Sequence, residues 1–344
     1  MTAVLAGLGT CLPPRVVGNR ELSQRLDTSD DWIQTRTGIH ERRIADTGTT
    51  TVGMATSAAD AALSDSGMAD VDALVLATST PDQLCPGSAP QVAAGLGLSG
   101  IPALDVNAAC TGFLYALATA GGMLAAELAE RVLVIGADTF SRLCDPDDRT
   151  TAPIFGDGAG AVVLRAGTAA EPGALGPFDL HADGTRANLL VVPAGGSKQR
   201  FSDNSHDYFL HMQGREVFRH ACAKMAESVL AVLRVARLPL AGVDRLVGHQ
   251  ANLRILQTLA ARLGLDEKHL VTNIGHVGNT SAASIPLALA DAVDGGHLRP
   301  GHHVVLTAFG AGLTWGSSVL TWPPVRGNMQ GHRIPEDSYE PVVR

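Results

Sequence analysis

Cys110 stands in the stretch Asp105-Val-Asn-Ala-Ala-Cys-Thr-Gly-Phe113, where an apolar, strand-like run gives way to the Ala/Leu-rich run 114–128. If that run is helical, Cys110 occupies its first turn, where unpaired backbone N–H groups and the positive dipole end favour a thiolate over a thiol. Taken alone, a free cysteine in an apolar turn is as readily a small core residue. Two more stretches place polar chemistry at the ends of apolar runs. They are Gly248-His-Gln-Ala-Asn252, with His249, and His276-Val-Gly-Asn-Thr-Ser281, with Asn279. The glycine-rich stretch Phe309-Gly-Ala-Gly-Leu-Thr-Trp-Gly316 can bring backbone N–H groups close to a reacting carbonyl. A nucleophilic cysteine, an imidazole, a carboxamide and backbone donors together make a workable acyl-transfer site.

These groups need elements to hold them. Residues 4–8, 71–78 and 131–137 are continuous apolar runs, the pattern of central strands covered on both faces. Helical spacing is found over 51–63 and 91–98, and a short helix is expected near Asn19. Gly156-Asp-Gly-Ala-Gly160 matches no phosphate-binding pattern and reads as a tight turn before a strand over 161–164. In the stretch 29–43, Trp32 and Ile33 read as the apolar side of a short helix, and Arg36, Arg42 and Arg43 as a solvated basic face.

The two halves of the chain repeat. Val71-Asp-Ala-Leu-Val75 resembles Val243-Asp-Arg-Leu-Val247, and Val132-Leu-Val-Ile135 resembles Val304-Val-Leu-Thr307, both with an offset of 172 positions (243 − 71 and 304 − 132). The same offset carries the Cys110 loop onto 277–283, ahead of the apolar run 285–293. Two copies of one α/β unit would place two equivalent helix N-termini at one centre. The halves divide over 166–176, giving units 1–168 and 175–322, with a tail over 323–344 expected to be flexible or draped on the surface.

Composition narrows the function classes. With 344 residues, 45% hydrophobic and 17% charged, the chain has ample material for a core. A net charge of −8 and 4% aromatic residues leave no electrostatic or stacking footprint for nucleic acid. Five cysteines without a CxxC pair argue against a disulfide framework and for a reducing cytoplasm. No basic leader precedes the first apolar run and no apolar run reaches the length of a membrane span, so neither export nor membrane insertion is expected.

Six segments in order carry a resemblance to a known family: Asp31-Trp-Ile-Gln-Thr-Arg-Thr-Gly-Ile39, Ala108-Ala-Cys-Thr-Gly-Phe113, Phe155-Gly-Asp-Gly-Ala-Gly160, His249-Gln-Ala-Asn-Leu-Arg254, Gly278-Asn-Thr-Ser-Ala-Ala-Ser284 and Thr314-Trp-Gly316. From Val4 to about Trp322 the sequence resembles the β-ketoacyl-acyl carrier protein synthase III family of the thiolase superfamily. The resemblance implies a duplicated five-layered α/β/α/β/α fold, a homodimer, and condensation of an acyl-CoA starter with malonyl-acyl carrier protein. It implies that Cys110 takes the acyl group, that His249 and Asn279 hold the malonyl thioester oxygen, and that the N–H groups of Cys110 and Ala311 form the oxyanion hole. By the same resemblance Trp32 and Arg149 would sandwich the adenine of coenzyme A and Arg36 would meet a phosphate. Arg219, Arg254 and Arg262 would dock the acidic carrier protein, and Cys85, Phe155 and Phe309 would line the acyl pocket. Coenzyme A enters as part of the substrate, and neither metal nor resident cofactor is implied.

Several positions depart from the family pattern. Cys85 replaces a bulky aromatic that crosses the dimer interface, so a wider acyl pocket is expected. Ala311 replaces a glycine, which a backbone oxyanion hole survives only with a negative φ. Gly248 replaces a proline, Leu313 a phenylalanine, and Thr111 a small residue. The alternative reading is a synthase-III-like acyltransferase of secondary metabolism, passing the acyl group to a hydroxyl, an amine or a second carrier.

Overall fold

A computed structural model describes residues 1–327. Each half of the chain builds one five-stranded sheet. The first contains β1 (Thr2–Cys11), β2 (Ala73–Ala77), β3 (Ala103–Val106), β4 (Arg131–Asp138) and β5 (Gly158–Gly167), in the order β1-β5-β4-β2-β3. The second contains β6 (Leu175–Ala182), β7 (Arg245–Gly248), β8 (Leu270–Val271), β9 (His303–Gly310) and β10 (Thr314–Thr321), in the order β6-β10-β9-β7-β8. In each sheet three parallel strands are extended on one side by two further strands joined through successive antiparallel pairings. The repeat seen in the sequence is the repeat in space. Ala73 pairs with Val132 in the first sheet and Arg245 with Val304 in the second, the same register 172 positions on.

Six helices complete five layers: α1 (Thr51–Ser66), α2 (Ala89–Gly95), α3 (Gly112–Ala125), α4 (Gly214–Ala236), α5 (Leu253–Leu263) and α6 (Ser284–Asp294). Alternation along each central strand sends side chains to both faces. Leu74 and Leu76 meet Met54, Ala58 and Val92 of the outer helices α1 and α2. Val75 and Ala77 face inward, toward Leu114 and Leu117 of α3, in a core shared with Ile285 and Leu289 of α6 and with Val247 and Leu306 of the second sheet. α4 and α5 close the far side, burying Met225, Val229 and Leu259 against Leu246 and Val305. Each such buried aliphatic side chain contributes about 1.5–3 kcal/mol of transfer free energy. The continuous apolar runs in the sequence have this cause, since both sheet faces are covered.

Small residues set the layer spacing. At Gly9 of β1 a Cβ would lie 2.3 Å from the Ala58 carbonyl oxygen and from the Ala62 nitrogen, so α1 rests almost on the strand backbone. The tight turn expected over 156–160 is corrected by the same effect. β5 already begins at Gly158, and a Cβ at Gly160 would lie 2.7 Å from Pro286, so these glycines are strand positions that let α6 approach the sheet.

The solvated basic face expected at Arg36, Arg42 and Arg43 is corrected at Arg42. Its guanidinium is wholly buried and donates to Val17 O (2.9 Å), Pro153 O (2.8 Å) and Asn19 Oδ1 (2.7 Å), stitching the ribbon of Val16–Gly18 and Glu41–Arg43 to the body. Arg36 is exposed, as expected.

The chain crosses between sheets over 168–174. Beyond Trp322, the Arg326 N–H donates to Asp65 Oδ1 at 3.1 Å, and the flexibility expected of the tail past Gly327 concerns residues outside those described. Among the described residues no helix is long and apolar enough to cross a membrane.

Candidate active site

β3 delivers the chain to a single 3₁₀ turn, Ala109–Thr111, which runs directly into α3. Ala109 has φ +47°, a left-handed conformation costing of order 1–3 kcal/mol in a residue with a Cβ. That turn seats Cys110 at the helix start, as expected, but as a buried residue. The end of β9 presses on it from the other half: a Cβ at Gly310 would lie 3.0 Å from Cys110 N and 3.1 Å from Cys110 Cβ. The following turn is fastened to the nucleophile turn by two hydroxyls. Thr111 Oγ1 donates to Thr314 O (3.1 Å), and Thr314 Oγ1 lies within reach of Thr111 Oγ1 (3.1 Å), Ala311 O (3.0 Å) and Ala108 O (3.2 Å). Ala311 is not among the non-glycine residues with positive φ, which meets the condition for an alanine at this place.

His249 follows β7, its N–H continuing the sheet to Thr307 O at 2.8 Å. Nδ1 lies 2.6 Å from Ser284 Oγ, the first residue of α6, leaving Nε2 free. Asn279 bridges to Phe155, and its Oδ1 accepts the Ser281 N–H at 3.0 Å, leaving the Nδ2 protons free. Ser281, at φ +50°, opens a second 3₁₀ turn, Ser281–Ala283, ahead of α6. The two turns pack together, so Cys110 comes from one half of the repeat and Asn279 and His249 from the other.

Electrostatics overturn one expectation. Burial pushes the Cys110 thiol up to about 12, with Ser281 pulling the other way and the Asp138 carboxylate adding to the rise. A helix N-terminus offers about 0.3–1 kcal/mol to an anion, up to ~2 in favourable sites, whereas desolvating an ion costs several kcal/mol. Desolvation wins and the resting cysteine is a thiol. Burial likewise pushes His249 down to about 3, so its imidazole is neutral.

The other expected residues lie at varying distances from this centre. Trp32 sits on the helix Asp30–Thr37, with the Arg149 guanidinium 5.3 Å from the centre of its ring and held by Asp27 at 2.9 Å. Arg36 lies one turn further along the same helix, and its carbonyl accepts from Asn252 Nδ2 (3.0 Å) at the start of α5. Arg219 on α4 and Arg254 and Arg262 on α5 are all exposed, and Arg254 lies over Phe218 at 5.9 Å. Phe155 stacks on Phe140 (4.6 Å) in an apolar cluster with Leu190 and Leu210 that also touches Ala311. Phe309 is buried in the cluster beneath α4 and α5. Cys85 is exposed on this chain. A separate cavity of about 400 Å³ beneath the ribbon, between Leu22, Arg42, Cys144 and Ala152, contains none of the three central residues.

Sequence reading missed Asp138, Ser281, Ser284 and Thr314. Ser281, Ser284 and Thr314 lie within the segments 278–284 and 314–316 without a role assigned to them, and for Asp138 the only signal was the 172-residue offset that aligns it with Gly310.

Residues 104–184 match the family described as 3-Oxoacyl-[acyl-carrier-protein (ACP)] synthase III, and residues 233–322 its C-terminal counterpart. The Beta-ketoacyl-[acyl-carrier-protein] synthase III 3 of Streptomyces coelicolor is 53% identical over 328 residues, covering 94% of this chain and 98% of that protein. The chain belongs to the synthase III family. The crystal structure of the synthase III of Pseudomonas aeruginosa PAO1 superposes with a TM-score of 0.89 at 50% identity, covering 94% of this chain and 99% of that one. A priming β-ketosynthase of a polyketide biosynthetic pathway gives a TM-score of 0.87 at 33% identity, covering 94% and 96%. The five-layered duplicated fold is therefore that of the synthase III enzymes.

Proposed function

We propose that this synthase III joins an acyl-CoA starter to malonyl-acyl carrier protein through an acyl-cysteine, priming fatty-acid or polyketide synthesis. The observation that carries it is the pair His249 and Asn279, each with one polar atom pinned by a serine and the other free. Ser284 Oγ already accepts the Gln250 N–H at 3.3 Å, and donating its own proton to Nδ1 leaves the imidazole proton on Nε2. Nε2 and Nδ2 are then two N–H donors available to one substrate oxygen. Simple acyl transfer has little need of such a cradle; an enolate does.

In the first step Cys110 Sγ attacks the acyl thioester, the C–S bond to coenzyme A breaks, and the thiol proton leaves with coenzyme A. The tetrahedral oxygen is met by the N–H groups of Cys110 and Ala311, donors whose individual loss typically costs about 2.7–4 kcal/mol. In the second step the malonyl C–C bond breaks, releasing carbon dioxide. The electron pair becomes an enolate whose oxygen rests on His249 Nε2 and Asn279 Nδ2. The enolate carbon attacks the acyl-cysteine, and the displaced Cys110 sulfur takes up a proton. A neutral histidine suits this work, since it binds as a donor without delivering a proton that would quench the enolate.

Trp32, Arg149 and Arg36 are suited to coenzyme A by ring face and positive charge, and the exposed arginines of α4 and α5 to an acidic carrier protein. We assign a homodimer formed along the open edge of β3, where Leu104 is exposed, with the exposed Leu84 and Cys85 contributing to it. All five cysteines are free, which suits a cytoplasmic site. A small Cys85 at that edge widens the range of starters, although Phe140 stacked on Phe155 fills part of the space on this chain.

Intact-protein mass spectrometry after incubation with a panel of acyl-CoAs, followed by malonyl carrier protein, tests the reading. An adduct on the wild type, absent from Cys110→Ala, that is discharged to a β-ketoacyl carrier supports condensation. An adduct that persists with malonyl carrier but discharges to a hydroxyl, an amine or a second carrier refutes it in favour of acyl transfer.

A further inference from the structure

The two halves place equivalent helix starts at the centre of the molecule, yet only one carries a nucleophile. Ala109 (φ +47°) and Ser281 (φ +50°), the turns Ala109–Thr111 and Ser281–Ala283, and the helices beginning at Gly112 and Ser284 are each 172 positions apart. Cys110 therefore corresponds to Ala282, and Asp138 at the end of β4 corresponds to Gly310 at the end of β9. In the second half the Ala282 N–H donates to Asp138 Oδ2 at 3.1 Å. The other carboxylate oxygen accepts from Ser79 N (2.8 Å), Thr80 Oγ1 (2.9 Å) and Thr78 Oγ1 (3.1 Å). In the first half the residue at the matching place is glycine, and the Cys110 N–H is left open.

We propose that Asp138 is a positioning residue: its carboxylate permanently occupies the helix-start anion nest that the second half inherited, and so fixes the turn carrying Asn279 and Ser284. Gly310 is the matching vacancy that leaves the first nest to the substrate oxygen. The carboxylate touches no substrate. It acts through Ala282 on the residues on either side, Asn279 three positions before and Ser284, the partner of His249, two positions after. Asp138 is fully buried with four donors on its two oxygens, so its place is fixed by hydrogen bonds from two separate segments, 78–80 of the first half and 282 of the second. Burial pushes the Asp138 carboxyl up while its hydrogen-bond donors pull it down, and in its ionised form the carboxylate opposes ionisation of the Cys110 thiol.

This rests on the condensation reading, and the test separates the two. Asp138→Asn keeps the shape but turns one accepting oxygen into a donor and removes the charge. Single-turnover loading from acyl-CoA should stay within about threefold of wild type, while discharge by malonyl carrier protein falls by about 100-fold, the scale of a small misplacement of catalytic groups. At the same time alkylation of Cys110 by iodoacetamide at fixed pH should become several-fold faster, because a like charge beside the thiol is gone. Should Asp138→Asn fail to fold, Thr78→Val, which removes one donor and keeps the carboxylate, should show the same selective loss of discharge at smaller size. Equal slowing of loading and discharge, or unchanged discharge with unchanged alkylation, overturns the proposal. A wild type that loads but never discharges to malonyl carrier overturns the condensation reading instead, and the alkylation comparison then still decides whether Asp138 governs the Cys110 environment.

Discussion

Gly310→Ala is the sharpest test of how the nucleophile turn is built. The backbone at Gly310 lies outside the left-handed region, so alanine can adopt it, and the whole effect comes from the added methyl group. That carbon would meet Cys110 N at 3.0 Å, Cys110 Cβ at 3.1 Å and Thr111 N at 3.1 Å, and none of these atoms belongs to the free end of a side chain. A Cβ has no rotamer to escape into, and Thr111 is tied to Thr314 from the far side. Relief requires the turn or the strand end to move by several tenths of an ångström, along the direction in which the Cys110 N–H must reach the oxyanion. Overpacking of this kind costs about 1–3 kcal/mol of stability, a fall in Tm of about 2–4 °C per kcal/mol for a chain of this size. Misaligning one oxyanion donor costs about 2.7–4 kcal/mol of activation free energy, or 10²- to 10³-fold in rate. Rapid-quench acylation by an acyl-CoA, followed by intact mass, reads the rate directly, with thermal melting as the control for folding. Acylation within threefold of wild type in a protein whose Tm has dropped would refute the placement of the oxyanion hole at the Cys110 N–H.

Other outcomes follow from the same geometry. Ser284→Ala removes the partner of His249 Nδ1 and should slow malonyl decarboxylation by about 100-fold while leaving loading of Cys110 intact, with Ser284→Thr restoring most of the rate. Trp32→Ala should raise KM for acyl-CoA about tenfold with kcat unchanged, the value of one exposed-to-half-buried ring contact, read from steady-state kinetics. His249, held near 3 when folded against 6.5 when free, is protonated only in the unfolded chain between those values, so stability should fall as pH drops from 6.5 toward 3. Cys110 is raised from 9.0 to about 12, so the unfolded chain loses its proton first and stability should also fall as pH rises above 9. Denaturant titrations of wild type, His249→Phe and Cys110→Ala check both slopes, each of which should flatten in its own variant.

Features written along one dimension were legible in the residue order alone. Continuous apolar runs marked strands covered on both faces, and a shared offset of 172 residues established duplication and aligned the two sheets to the residue, as the pairs Ala73 with Val132 and Arg245 with Val304 show. Motif order placed Cys110, His249 and Asn279 at strand ends and helix starts. Solvation and long-range pairing came from the packed layers alone. The helix-start argument for a Cys110 thiolate was sound locally, but it could not see that packing against the other half of the chain excludes water while Asp138, at the end of a strand of its own half, lies near. Arg42 looked like a surface charge until three acceptors, one of them 111 positions away, enclosed it. Asp138 reaches a partner 144 positions away, and Thr111 one 203 positions away. Such contacts leave no local periodicity, because a buried polar group is stabilised by whichever donors the packed layers bring to it and not by its neighbours in sequence.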